Sequence, residues 1–248
     1  MKKLLFVLII MTVSAVNYAN DLQQILERHQ GEFGLVLPEK YQCGKVHVLD
    51  ISKESAEFDH VDIYSTEALL KHSKEVREQT GADLVIGRYL EDRNIYQRGK
   101  NYQAPEKEAR SVHLGQDLMV PSGTPIYAPI AGKIHSFKDN NAVADYGPTL
   151  ILEHNLDGIT FYTLYGHLSR DAIKGLHVGQ TIKKNQQIAT VGKPFENGGW
   201  PEHVHFQIID NMKGEFGNYK GVIEPSKVSE YAKHCPNPNL ILNIAALK

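Results

Sequence analysis

Cysteine and tryptophan are scarce in this 248-residue chain, which has two of the first and one of the second. Two thiols cannot build a thiolate zinc site or the dense disulfide framework of a small secreted domain, so any metal chemistry must run on histidine and carboxylate. An excess of charge is missing too. Lys and Arg number 27 against 29 Asp and Glu, with no basic block, so nothing is suited to neutralising phosphates and nucleic acid is not an expected partner. The N-terminal run of apolar and small residues, 4–16, stops at 13 residues, short of the ~20 that span a bilayer as a helix. What is present looks globular: 42% hydrophobic and 23% charged residues, on a length that suits one sizeable domain with attachments or two small ones. Twelve histidines stand out as ligand-capable groups.

Lys2 and Lys3 ahead of the apolar run form the basic start of an export signal, with small-residue exits after Ala15 or Ala19. Residues 1–19 are therefore expected to be a signal peptide and the remainder to be exported, periplasmic or secreted, with no stable membrane anchor after cleavage. In an oxidising compartment two free thiols are disfavoured, so Cys43 and Cys235 are expected to pair.

Residues 20–108 are polar and mixed in charge. Leu22, Ile25 and Leu26, and farther on Leu69, Leu70, His72 and Val76, fall at helical spacing, while VHVLD at 46–50 and DLVIG at 83–87 read as short strands. This predicts a small α+β region, closed by a polar linker around Pro105. From Val112 the pattern changes to short β-type runs separated by Gly, Pro and Asn, at 126–127, 132–137, 149–153, 160–165, 187–191 and 203–209. No helical stretches of 10–15 residues alternate with them, so the expectation is a mainly β fold, an antiparallel sheet or sandwich over 109–226. The tail, 227–248, ends in an apolar run, Leu240-Ile241-Leu242, expected to pack back on that domain.

Three pieces of the β region combine into one chemistry: His113-Leu114-Gly115-Gln116-Asp117, Tyr165-Gly166-His167 and His203-Val204-His205. Ligands of one zinc, each ~2.0–2.2 Å from it, must bring their donor atoms within a few ångströms of one another. In a straight strand residues 113 and 117 would stand roughly 13 Å apart, so the backbone must bend between them, and Gly115 is the residue type that permits a bend. His203 and His205, two apart on a strand, project from the same face with Cα atoms ~6.5–7 Å apart and can look into one pocket. A catalytic zinc site takes three protein ligands and keeps one position open for water. His113, Asp117 and one member of the 203/205 pair supply three, leaving the other member and His167 to handle a proton of the attacking water or to stabilise an oxyanion.

These residues resemble the LytM/lysostaphin-type zinc metallopeptidases, which cut peptide bonds in bacterial cell-wall peptidoglycan. The resemblance covers residues 112–209 and its pieces come in the family's order: His-x-Gly-x-Asp at 113–117, Pro-x-Gly-Thr-Pro-Ile-Tyr-Ala-Pro-x-x-Gly at 121–132, Tyr-Gly-His-Leu-Ser at 165–169, a glycine-bounded hairpin at 178–192, and His-x-His at 203–205. It implies one zinc per chain held by His113, Asp117 and His205, with His203 and His167 as the catalytic imidazoles. Peptidoglycan is then the implied substrate, cut at stem peptides or cross-links, those containing D-amino acids above all. Residues 20–108 would cover the groove or select substrates, and a regulatory protein partner is left open. One stretch departs from the pattern: where the family has small residues before His-x-His, this chain has Asn197-Gly198-Gly199-Trp200-Pro201-Glu202. Trp200 suits either a cap over the core or a substrate platform, and Glu202 reads as a solvated loop acid. His47, His60, His135, His154, His177 and His234 match no motif and are read as structural. The alternative reading is a non-catalytic module of the same fold that binds the cell wall or activates a hydrolase. The glycine pattern also resembles biotinyl or lipoyl carriers, but no lysine sits in a suitable hairpin turn.

Overall fold

The structure, a computed structural model, describes residues 18–103 and 108–248. Most of the expected export signal, including its basic start and apolar run, lies outside the described residues. The strands are β1 (Val46–Val48), β2 (Leu84–Ile86), β3 (Val112–His113), β4 (Gln116–Met119), β5 (Pro125–Tyr127), β6 (Gly132–Asn140), β7 (Gly147–Leu156), β8 (Ile159–Gly166), β9 (Thr181–Ile182), β10 (Gln187–Thr190), β11 (Val204–Ile209) and β12 (Val222–Ile223). The helices are α1 (Tyr18–Arg28), α2 (Glu39–Gln42), α3 (Thr66–Thr80), α4 (Val228–His234) and α5 (Asn239–Leu242). The two helical spacings read in the first region are α1 and α3, and its two strand-like runs are β1 and β2. α3 has local signals at both ends: the Ser65 hydroxyl accepts from the Ala68 N–H at 3.2 Å, and Gly81, at φ +60°, closes the C-terminus.

The fold is mainly β, as the short β-type runs separated by turn residues predict. Eight strands form one sheet in the order β1-β2-β4-β11-β8-β7-β6-β9, while β5 pairs with β10 and β3 with β12. β1 and β2 pair in parallel; the other neighbours in the large sheet are antiparallel. Because β2 pairs with β4, through Val85 opposite Met119 and Ile86 opposite Leu118, the strands of the first hundred residues continue the sheet of the β region.

Side chains alternate across this sheet, and each face is buried differently. Leu150, Leu152, Phe161, Tyr165, Phe206 and Ile208 point into the main core, covered by Leu22 and Leu26 of α1 and by Ile241 and Leu242 of α5. Ile151, Leu164 and Ile209 point the other way, into a second cluster with Val112, Leu114, Tyr146 and Cys235. This second face carries the polar residues discussed below.

The expected disulfide is absent. Both cysteines are free, Cys43 exposed and Cys235 buried. Cys43 caps the short helix α2, whereas the Cys235 sulfur lies inside the second cluster and receives the Gln207 amide N–H at 3.3 Å. Burial pushes the Cys235 thiol up to about 12, so it remains a neutral S–H.

His154, read as structural, is buried on the main-core side of β7. Its Nδ1 donates to the Ala131 carbonyl at 3.0 Å and its Nε2 lies 2.8 Å from Thr163 Oγ1. Burial lowers it to about 4. Below pH 6.5 the unfolded imidazole takes up a proton that the folded one refuses down to about pH 4, so stability falls with pH across that window, by about 1.4 kcal/mol per pH unit for this one group. Urea unfolding of His154→Gln should therefore show a shallower loss of stability between pH 6.5 and 4.5, by ~1 kcal/mol per pH unit. Parallel slopes in the two proteins would mean that His154 is not held neutral.

Candidate metal centre

His113 ends β3, and Asp117 follows in β4 after a bend at Gly115. The bend is where the spacing placed it, but its glycine serves a different purpose. Gly115 does not adopt a left-handed φ; instead the His205 ring lies against it, and a Cβ there would stand 2.3 Å from His205 Cε1. Glycine is required for close approach of the ring rather than for backbone freedom.

Strand register does the rest. In β11, His205 is opposite Asp117 on one side and Gly166 on the other, and directly opposed residues of antiparallel strands put their side chains side by side. His113, Asp117 and His205, buried together, offer ligand atoms that all lie within 4.8 Å of one another. His113 Nε2 stands 2.9 Å from His205 Nδ1, and Asp117 Oδ1 is 3.2 Å from each.

The hydrogen bonds on the far side of each ring decide what those inward atoms are. His113 Nδ1 lies 3.3 Å from the Arg88 carbonyl, and a carbonyl only accepts, so Nδ1 carries the proton. His205 Nε2 lies 2.9 Å from Gln207 Oε1. The Gln207 amide cannot be reversed, since its NH2 donates to the Lys220 carbonyl at 3.1 Å; His205 Nε2 is therefore the donor. A neutral imidazole has one N–H, so His113 Nε2 and His205 Nδ1 both present lone pairs, to each other and to a carboxylate. Burial, with the nearby Arg93, lowers His113 to about 3 and keeps it neutral. Burial works against ionisation of Asp117, but the Arg93 guanidinium bound to it overrides that and holds the carboxyl well below the usual carboxylate range. Three converging donors with no proton between them fit a divalent cation, and their separations of 2.9–3.2 Å are close to the roughly 3.3 Å edge of a tetrahedral zinc site.

His167 and His203 stand beside this triad, their ring centroids 4.2 Å apart. His203 Nε2 is 3.7 Å from Asp117 Oδ1. The same proton argument applies to them: His167 Nδ1 donates to the Asn197 carbonyl at 2.9 Å and His203 Nδ1 to the Pro201 carbonyl at 2.7 Å, leaving both Nε2 atoms as acceptors. Burial, then the neighbouring His203, lowers His167 well below the usual imidazole range; burial also lowers His203. His167 has φ +61°, a region that side-chain-bearing residues rarely occupy and that functional sites often hold against strain. Here it is secured by its N–H to the Tyr146 carbonyl, 2.7 Å, and its carbonyl to the Gly192 N–H, 2.9 Å.

Several supporting residues have no motif in the sequence. Arg93 Nη1 binds Asp117 Oδ2 at 2.6 Å, which leaves Oδ1 for the triad. Its Nε binds Glu91 at 2.8 Å and its Nη1 donates to the Tyr96 hydroxyl at 3.1 Å. Gln207 lies two residues beyond His205 on the same strand and so shares its face, a signal the sequence did offer. A cavity of about 380 Å³ opens over the five residues, walled on the other side by Leu49, Ile51, Phe58 and Leu69 from the first region. Trp200 is 7% exposed and packs with Tyr96, Ala144 and Val222 as a cap, and its ring also borders the cavity. Glu202 is half-buried.

Residues 111–216 match the model of Peptidase family M23. A Vibrio cholerae protein named peptidoglycan DD-endopeptidase ShyB is 29% identical over 127 residues, which cover 49% of this chain and 27% of that protein. The Escherichia coli lipoprotein YgeR is 33% identical over 104 residues, 42% of this chain and 37% of its own length. This chain therefore aligns with well under two thirds of either relative. The catalytic domain of the antimicrobial peptidase lysostaphin from Staphylococcus simulans, 26% identical, aligns over 48% of this chain and 80% of that domain with a TM-score of 0.35.

If the outward hydrogen bonds aim the lone pairs, removing them should weaken metal binding without unfolding the chain. Gln207→Leu, which frees His205 to change tautomer, and Gly115→Ala, which displaces its ring, should each lower zinc affinity ~10–100-fold in a chelator competition assay. Unchanged affinity in both would show that His205 is not a ligand.

Proposed function

For a chain that carries a peptidase family M23 domain, of LytM/lysostaphin type, over residues 111–216, we propose a zinc-dependent endopeptidase that hydrolyses amide bonds in peptidoglycan stem peptides or cross-links. The observation that carries the proposal is the set of inward lone pairs: two on His113 and His205 beside an ionised Asp117, and two more on His167 and His203 facing the same cavity. His113, Asp117 and His205 would hold the metal. Zinc there would supply the Lewis acidity that activates water and polarises the scissile carbonyl.

The protein's own residues supply the rest. His203 and His167, neutral and with Nε2 unprotonated, can each accept a proton at that atom; the protonated ring can then return it to the leaving amine. Their Nδ1–H bonds to the Pro201 and Asn197 carbonyls hold the rings in place through that exchange. Arg93 fixes the carboxylate of Asp117 by taking its second oxygen. The names of the relatives support peptidoglycan as substrate. An exported, periplasmic or secreted location fits that substrate and the reading of residues 1–19 as a signal peptide; no helix among the described residues is long and apolar enough to cross a membrane. In this proposal 109–226 is the peptidase domain, with 20–108 shaping its cavity and 227–248 packing on it.

The test is digestion of purified peptidoglycan sacculi by zinc-replete protein, with fragments identified by mass spectrometry. Wild type should release peptide-cleaved fragments, and His203→Ala, still binding about one zinc, should be ~10²–10⁴-fold slower. Sacculi left unchanged by both proteins would overturn the enzymatic reading and leave a wall-binding or hydrolase-activating module.

A further inference from the structure

Both catalytic imidazoles are oriented by one short loop, and that loop is held from outside the matched domain. The Asn197 and Pro201 carbonyls receive the Nδ1 protons of His167 and His203. Between them the chain closes on itself: the fully buried Asn197 side chain donates to the Trp200 carbonyl at 3.1 Å and accepts the Trp200 N–H at 3.0 Å. Gly198 and Gly199 make the turn, at φ +87° and +80°, angles that side chains with a Cβ rarely adopt. The Gly199 carbonyl points away from the cavity towards residues of the first region. There it accepts two bonds, from Arg98 Nη1 and from the Thr66 hydroxyl, each at 3.1 Å. Arg98 Nη2 also donates to Thr66 Oγ1 at 2.9 Å, and its guanidinium lies 4.8 Å above the Trp200 ring.

We propose that Arg98, seconded by Thr66, is a positioning residue for the reaction: by gripping Gly199 and Trp200 it fixes the loop whose two carbonyls set the tautomer and aim of His167 and His203. Arg98 touches neither imidazole. Its contribution passes through the loop backbone, where a displacement of about 1 Å at the reacting groups can cost ~10²-fold in rate. The departure of this chain from the family pattern then has a purpose: the tryptophan provides the face on which the arginine rests, and the two glycines bring a carbonyl within its reach. Residues 66 and 98 thereby tie the first hundred residues to the chemistry. The inference rests on the proposed roles of His167 and His203, and its test has a readout that needs no turnover.

Arg98→Met keeps the aliphatic stem and removes the donors; Thr66→Val removes the bond to Gly199 and the one from Arg98 Nη2 but leaves Arg98 Nη1 on the Gly199 carbonyl, and is the milder variant if the first fails to fold. In the zinc-titrated full chain, long-range nitrogen–proton NMR correlations should show the wild-type His167 and His203 rings as single Nδ1–H tautomers. Arg98→Met should show mixed or exchange-broadened tautomers, and the emission of Trp200, the chain's one tryptophan, should move to the red while zinc uptake stays at about one per chain. On a defined cross-linked muropeptide kcat should fall ~10–100-fold with KM within about threefold, and Arg98→Lys should recover part of it. Imidazoles that keep one Nδ1–H tautomer in Arg98→Met would overturn the proposal, as would scrambled tautomers with kcat unchanged. A wild type with the expected tautomers that cleaves no peptidoglycan would instead overturn the proposed function and leave the clamp standing.

Discussion

A neutral imidazole has a single N–H, and in each of four buried histidines that proton is taken by an oxygen facing away from the cavity. The acceptors are the Arg88, Asn197 and Pro201 carbonyls and the Gln207 side chain. What faces inward is therefore four lone pairs and a carboxylate held ionised by its neighbours. Lone pairs 2.9 Å apart repel unless something positive lies between them. The outward hydrogen bonds thus create a donor set that fits a divalent cation, and the same rule makes His167 and His203 acceptors rather than donors.

Putting such a cluster inside a protein requires support on every side. The sheet supplies the positions, since the β4–β11–β8 register sets Asp117, His205 and Gly166 in one row. Residues ahead of the matched domain supply much of the restraint. Arg93 is buried between Glu91 and Asp117, and an uncompensated charge there would cost about 3–5 kcal/mol; the three residues act as a unit. The free Cys235 joins the support as well, through Gln207 to His205. Its sulfur is buried and already engaged in this network, whereas Cys43 is exposed.

Local features were well legible in the sequence. Helices α1 and α3 and strands β1 and β2 of the first region follow from spacing, as does the change to β pairing after Val112, and the pieces at 113–117, 165–167 and 203–205 contain all five residues described at the cavity; the short helix α2 left no such signal. Non-local features were not. Nothing in the first region indicates that β2 pairs with β4, because strand pairing across more than thirty residues leaves no trace in either segment. For the same reason Arg93 and Arg98 could not be singled out among the charges of a polar stretch. Gly115 shows a subtler limit: the bend was predictable, but its cause is a ring ninety residues away. The paired cysteines were inferred from compartment alone, and compartment does not say which side chains end up near each other.

The most direct test of the inward lone pairs is X-ray absorption at the zinc edge on the full chain after metal titration. The account predicts about one zinc with only nitrogen and oxygen neighbours, near 2.0–2.1 Å, and outer-shell scattering from two imidazoles. A sulfur neighbour near 2.3 Å, a spectrum without imidazole scattering, or a chain that takes up no zinc would contradict it.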